Sequence, residues 1–243
     1  FAGGNEGKFI TSTFYREKLP QWVENFNSSG KVKSYLKTWN TLYDIETYLE
    51  SGPDENSFER GFKGKTSATF PYDLKMLSKD NAYFSILGST PYGNDLTTDF
   101  AIAAIEGENL GKDDITDILT LSYSSTDYIG HNFGVNSKEV QDAYLRLDKN
   151  LGTLLSYLDR NIGEDEYLIF LTADHGAVDV PAYLKSNKIP SGYFNVKTLE
   201  KNLNEFLHQE FDSNELIRNI SNNQIFFNYD RLKKLNIERG ILE

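Results

Sequence analysis

Two aspartate–histidine pairs stand out in this chain of 243 residues: Asp127 with His131, four positions apart, and the adjacent Asp174 and His175. Carboxylate oxygen and imidazole nitrogen are ligands that suit Zn²⁺, and two such pairs suit a paired-metal site. Taken singly, each pair also reads as an ordinary loop cap or hydrogen-bonding group. Cysteine is absent. That excludes disulfides, thiolate zinc sites, iron–sulfur clusters and cysteine nucleophiles. Any metal centre here is therefore built from oxygen and nitrogen alone.

The elements around the pairs bear on the choice. Ile118, Leu119, Leu121 and Tyr123 form a short apolar run, and Tyr167–Leu171 forms a second, both with the pattern of strands covered on two faces. Between them Val140, Ala143, Tyr144, Leu147, Leu151, Leu154, Leu155 and Leu158 recur at helical spacing. Asn136 and Glu139 make a capping-box-like start, and Gly163 makes a stop. Strand, long helix and strand predict a βαβ crossover and a parallel α/β sheet flanked by helices. Each Asp/His pair then lies just beyond the carboxyl end of a strand, where such sheets place their chemistry. Gly130, Gly134 and Gly176 are expected to let the backbone turn both pairs inward.

Further helices are predicted from Leu19 to Phe26, from Asn94 to Gly107 (inward face Leu96, Phe100, Ala103 and Ala104), and over Leu199–Phe211. Gln224–Phe227 reads as one more strand. Residues 1–92 are aromatic-rich and irregular, with turn signals at Gly3-Gly4, Ser28-Ser29-Gly30 and Ser51-Gly52-Pro53-Asp54. They read as an insertion or cap upon a core formed by residues 93–243.

Composition narrows the function. With 25 basic and 36 acidic residues the formal net charge is −11, which disfavours nucleic acid as a partner. No apolar stretch reaches the length of a membrane span. His208 lies roughly 140° around its helix from Leu203 and reads as a solvated bystander. Lys185 and Lys188, in the loop after the second apolar run, could meet an anionic substrate but read more simply as ordinary surface lysines, and Asp179 reads as a loop acid.

At the two pairs the chain resembles a known family. The run Ser124-Ser125-Thr126-Asp127-Tyr128-Ile129-Gly130-His131-Asn132-Phe133-Gly134, the run Thr172-Ala173-Asp174-His175-Gly176-Ala177, and their separation of 47 residues are similar to the alkaline phosphatase superfamily. The nearest branch holds the type I phosphodiesterases/nucleotide pyrophosphatases and the phosphate-irrepressible alkaline phosphatases of flavobacteria. Ile10–Tyr15, Leu19–Val23 and Thr90–Asp95 agree with it, so the likeness runs along nearly the whole chain.

The resemblance implies an alkaline phosphatase-like α/β core with two Zn²⁺. Asp127 and His131 match the pair that holds one ion, and Asp174 and His175 the pair that holds the other. It implies hydrolysis of small-molecule phosphate monoesters through a covalent phosphoenzyme, in a periplasmic or secreted setting. A phosphodiesterase or nucleotide pyrophosphatase on the same metal frame is the alternative, and sulfatases are more distant relatives. A non-catalytic or purely structural domain is the reading from another class.

In the family a third ligand completes each site, and a Thr or Ser nucleophile lies between the ions. None of these has a counterpart here, and Thr11, Ser12 and Thr13 fall in a segment matching a different region. The chain opens on Phe1, and its one methionine is Met76. It is accordingly expected to be a middle portion of the enzyme, inactive in isolation, with no catalytic nucleophile of its own.

Overall fold

A computed structural model describes residues 4–222 and 224–242. The helices are α1 (Gln21–Ser28), α2 (Lys31–Ser34), α3 (Leu74–Leu77), α4 (Pro91–Gly107), α5 (Ser125–Phe133), α6 (Lys138–Asn161), α7 (Pro181–Ser186), α8 (Val196–Phe211) and α9 (Tyr229–Leu235). Strands β1 (Thr38–Trp39) and β2 (Tyr72–Asp73) pair antiparallel, as do β3 (Ile217–Ser221) and β4 (Gln224–Phe227). Contacts divide the chain into two compact units, residues 1–187 and 188–243.

Helices α1, α4, α6 and α8 follow the periodicity that predicts them, with starts shifted by a few residues, whereas α5 and the short helices α2, α3, α7 and α9 have no such signal. Helix α6 begins one residue after Ser137, whose hydroxyl accepts from Val140 N–H, so Ser137 rather than Asn136 is the cap. Helix α4 begins at Pro91, where a missing N–H costs nothing. Asn94, expected as its cap, is instead inside the helix and buried.

The parallel sheet is a correction. Among the described residues both ladders are antiparallel, and neither 118–123 nor 167–171 forms a strand. A parallel ladder needs a neighbouring strand along each edge, and no described segment pairs with these two. Their apolar side chains are accordingly open: Ile118 is 86 % exposed and Phe170 84 %.

Residues 1–92 do not sit as decoration upon a separate core. Phe26, Trp39, Phe62, Tyr72 and Leu74 share one buried cluster with Leu96, Ile129, Phe133 and Val140. Phe133 meets Trp39, Phe62 and Tyr72 at centroid distances of 6.0, 5.6 and 5.6 Å, all at steep ring angles. Such edge-to-face pairs add about 0.5–1.5 kcal/mol each beyond the area they bury. Irregular backbone therefore supplies part of the packing that holds α5 in place.

Under this cluster lie carboxyl groups with few partners. Glu139 is fully buried and accepts from the Tyr72 hydroxyl, while its Oε2 and the Oε2 of Glu59 have no hydrogen-bond partner. Burial, then the charges of Glu139 and Asp54, push the Glu59 carboxyl up to about 9. Burial likewise pushes Glu139 up to about 7. The native protein thus keeps a proton on Glu59 that the unfolded chain releases, so stability falls as pH rises from the unfolded value toward about 9. Glu59→Gln, uncharged throughout, is expected to be more stable than wild type by a margin that widens between about pH 5 and about pH 9. Thermal unfolding across that range checks it, and a pH-independent margin would exclude a proton held on Glu59.

The second unit, residues 188–243, packs α8, the β3–β4 hairpin and α9 around Leu207, Leu216, Ile217 and Leu232. Gln224–Phe227 is the strand that the sequence predicts, antiparallel to β3. His208 is exposed on α8, as its helical position requires.

Candidate metal centre

Asp127 and His131 lie on α5, not in a loop, and Gly130 is helical with them. Positions 125, 129 and 133 of this helix are buried, with Ile129 and Phe133 fully enclosed. Two residues of α-helix turn about 200°, so 127 and 131 face away from the core. Four-residue spacing sets them one above the other on that outer face. An acid in the first turn and a histidine in the last also agree with the helix dipole. The helix is held by Asn94 Nδ2, which donates to Thr126 Oγ1 at 3.0 Å, one residue before Asp127.

The second pair rides on the irregular segment after Leu171. Asn136 Nδ2 donates to Asp179 Oδ1 at 2.8 Å, tying that segment to the start of α6. Asp179 is thus more than a loop acid. A Cβ at Gly134 would stand 2.8 Å from Val180 Cγ2, and the φ of +87° there favours glycine. Close approach of the two segments therefore depends on Gly134, though Gly176 has no such backbone requirement.

Three distances define the site. Asp127 Oδ1 is 3.4 Å from His131 Nε2 and 3.8 Å from His175 Nε2. His175 Nε2 is 3.7 Å from Asp174 Oδ2. All four sequence-predicted side chains thus converge, although they come from segments 47 residues apart. The side chains remain accessible, Asp127 at 45 % and His175 at 58 %.

The donor set fits a zinc ion. With metal–ligand bonds of about 2.0–2.1 Å, neighbouring donors of a tetrahedron stand about 3.3–3.4 Å apart. Within the pairs, Asp127 Oδ1 and His131 Nε2 have that separation, and His175 Nε2 and Asp174 Oδ2 are a few tenths further apart. His175 Nδ1 lies 2.9 Å from the carbonyl oxygen of Gly176. A carbonyl only accepts, so Nδ1 carries the proton and Nε2 keeps its lone pair for a metal. That hydrogen bond, with the charges of Asp174 and Asp127, raises the pKa of the imidazole above its ordinary value. The His175 backbone N–H donates to Asp174 Oδ1, leaving Oδ2 for the site. Among the described residues no group of three or more such donors has the geometry to hold an ion by itself.

Sequence reasoning overlooks the positioning residues Asn94, Asn136 and Asp179, because their partners are fixed only by tertiary contact. It also misses a cleft of about 290 Å³ that opens beside His131 and is lined by Arg60, Phe62, Ile86, Tyr128 and Asn132 among others. Lys185 and Lys188 are exposed, and Lys185 does not line that cleft.

Comparison with known proteins agrees with the motifs. The family model for type I phosphodiesterase/nucleotide pyrophosphatase matches residues 6–239. A Myroides odoratus protein named calcium-transporting ATPase is 47 % identical over 97 % of this chain and 43 % of its own length. Alkaline phosphatase PhoV of Synechococcus elongatus is 46 % identical over 94 % of this chain and 41 % of its own. Alkaline phosphatase PafA of Elizabethkingia meningoseptica is 44 % identical over 91 % of this chain and 40 % of its own. The crystal structure of wild-type PafA superposes with a TM-score of 0.90 at 41 % identity, covering 98 % of this chain and 45 % of that one. The chain therefore spans less than half the length of the relatives it matches, and its elements are arranged as in the corresponding part of PafA. On the family match and these identities, the chain belongs to the type I phosphodiesterase/nucleotide pyrophosphatase family of the alkaline phosphatase superfamily.

Proposed function

We propose that this chain supplies two half-sites of a two-zinc centre, and that the complete enzyme hydrolyses phosphate monoesters through a covalent phosphoenzyme. The observation that carries the reading is the position of Asp127 Oδ1, 3.4 Å from His131 Nε2 and 3.8 Å from His175 Nε2. Asp127 and His131 hold one ion, and Asp174 and His175 the other. When bound, the pair of zinc ions supplies Lewis acidity and positive charge where oxygens enter and leave phosphorus. That local charge also reconciles an anionic substrate with a chain of net charge −11.

The chain's own contribution is orientation. Helix α5 presents Asp127 and His131 on one rigid face, Gly176 O fixes the His175 tautomer, and the Asn136–Asp179 bond holds the second pair close to the first. With two protein ligands per ion, residues 1–243 alone bind zinc weakly and turn nothing over. A periplasmic or secreted setting accompanies this reading. Among the described residues no helix is long and apolar enough to cross a membrane.

The family description favours a second reading, a diesterase or pyrophosphatase on the same metal frame. The names of PhoV and PafA favour the monoesterase. Comparing the full-length protein on an aryl phosphate and its methyl diester separates the two. A monoester preference of at least about tenfold in kcat/KM, or about 1.4 kcal/mol, is expected. A diester preference would establish the second reading.

A further inference from the structure

The cleft beside His131 lies within the first unit, between α5, the Arg60–Phe62 segment and the 81–89 segment. Arg60 is pinned there by its backbone N–H, which donates to the carbonyl oxygen of Asn132 at 2.9 Å, one residue beyond His131. The charge pattern of this cleft is unlike that of the chain as a whole. The chain carries 36 acidic residues, yet among the described residues no carboxylate lines the cleft, and Arg60 is the one permanently charged group there. The side chain of Arg60 is exposed and has no ion-pair partner among the described residues. Its chain neighbour Glu59 is half-buried, and burial pushes its carboxyl up to about 9, so it does not offset the guanidinium at neutral pH.

The remaining walls suit a flat organic group. Tyr128, next to Asp127 in sequence, exposes 55 % of its surface, and Phe62 and Ile86 supply apolar sides. Asn81 is fully engaged, accepting from Lys63 N–H and donating to the Lys63 and Leu77 carbonyls, which makes that side of the cleft rigid. At about 290 Å³ the space matches an aryl or sugar-sized group at the lower end of small-molecule sites.

We infer that this cleft receives the alcohol portion of the ester, and that Arg60 selects alcohols bearing a second anionic group such as a carboxylate or phosphate. The inference rests on the phosphatase reading for the place of the scissile phosphate beside His131. A guanidinium meets a carboxylate or phosphate with two parallel N–H···O bonds, which gives both strength and direction.

The test uses the full-length protein with 4-carboxyphenyl phosphate and phenyl phosphate as substrates. Taking the ratio of their kcat/KM values in each protein cancels the difference in intrinsic leaving-group reactivity. In Arg60→Gln the ratio of carboxyphenyl to phenyl ester is expected to fall about tenfold from wild type, and further in Arg60→Glu. An unchanged ratio in both variants would overturn the inference. Calorimetric titration with the two corresponding phosphonates gives a readout without turnover. Weaker binding of the carboxyphenyl phosphonate alone in Arg60→Glu supports the subsite, and equal weakening of both overturns it. A wild-type protein that binds the phosphonates with this selectivity but hydrolyses neither ester overturns the phosphatase reading and leaves the subsite standing.

Discussion

His175→Ala in the full-length protein is expected to lower kcat/KM on an aryl phosphate by at least about 10³-fold, roughly 4 kcal/mol of transition-state stabilisation. Zinc content should fall with it. Among the described residues His175 Nε2 is the imidazole nitrogen beside Asp174, and it also faces Asp127 at 3.8 Å. Its loss removes a donor from one ion and a neighbour from the other pair. Because the side chain is exposed and makes one hydrogen bond, to Gly176, the fold should survive. Unfolding temperature measured on the apo protein separates the two effects. A change confined to about 10–100-fold would mark His175 as an outer-sphere group that orients a ligand without binding the ion. Full activity with full zinc content would sink the metal-centre assignment.

The second large effect is on stability. Asp142→Ala is expected to cost about 3–5 kcal/mol, because it leaves buried donors and one cation without their acceptor. Asp142 is fully buried on α6 and accepts four hydrogen bonds: from Trp39 Nε1 at 2.7 Å, Leu42 N–H at 2.6 Å, the Tyr48 hydroxyl, and Arg146 Nε at 2.6 Å. Arg146 also donates from Nη2 to the Asn40 carbonyl, so one carboxylate and one guanidinium together clamp residues 39–48 onto α6. Urea unfolding of wild type, Asp142→Ala and Asp142→Asn measures the cost. The asparagine keeps an acceptor and the volume, and should recover part of the loss. A cost below about 1 kcal/mol for the alanine would mean that the clamp behaves as a solvated surface pair.

These two residues also mark how far the sequence could be read. Asp127, His131, Asp174 and His175 were recognisable as candidate ligands because their types and spacing suit a metal. The long helix α6 was legible because a 3.6-residue apolar period has one structural solution. Asp142 on that helix could not be singled out, since three of its four partners lie 94 to 103 residues away and only Arg146 is local. For the same reason the aromatic stretch before residue 92 looked like decoration, although Trp39, Phe62 and Tyr72 are core.

The apolar runs 118–123 and 167–171 mark a different boundary. Composition can propose a strand there, but a ladder exists only where a second backbone lies alongside, which is a property of the whole assembly. By itself the sequence determined the long periodic helices and the two aspartate–histidine motifs, because side-chain chemistry and helical periodicity are local. Only the tertiary structure decided that Asp127 stands between both histidines, that Arg60 faces the cleft beside His131, and which carboxyl groups are buried. Those outcomes depend on contacts between residues far apart in the chain, and no local pattern encodes such distances.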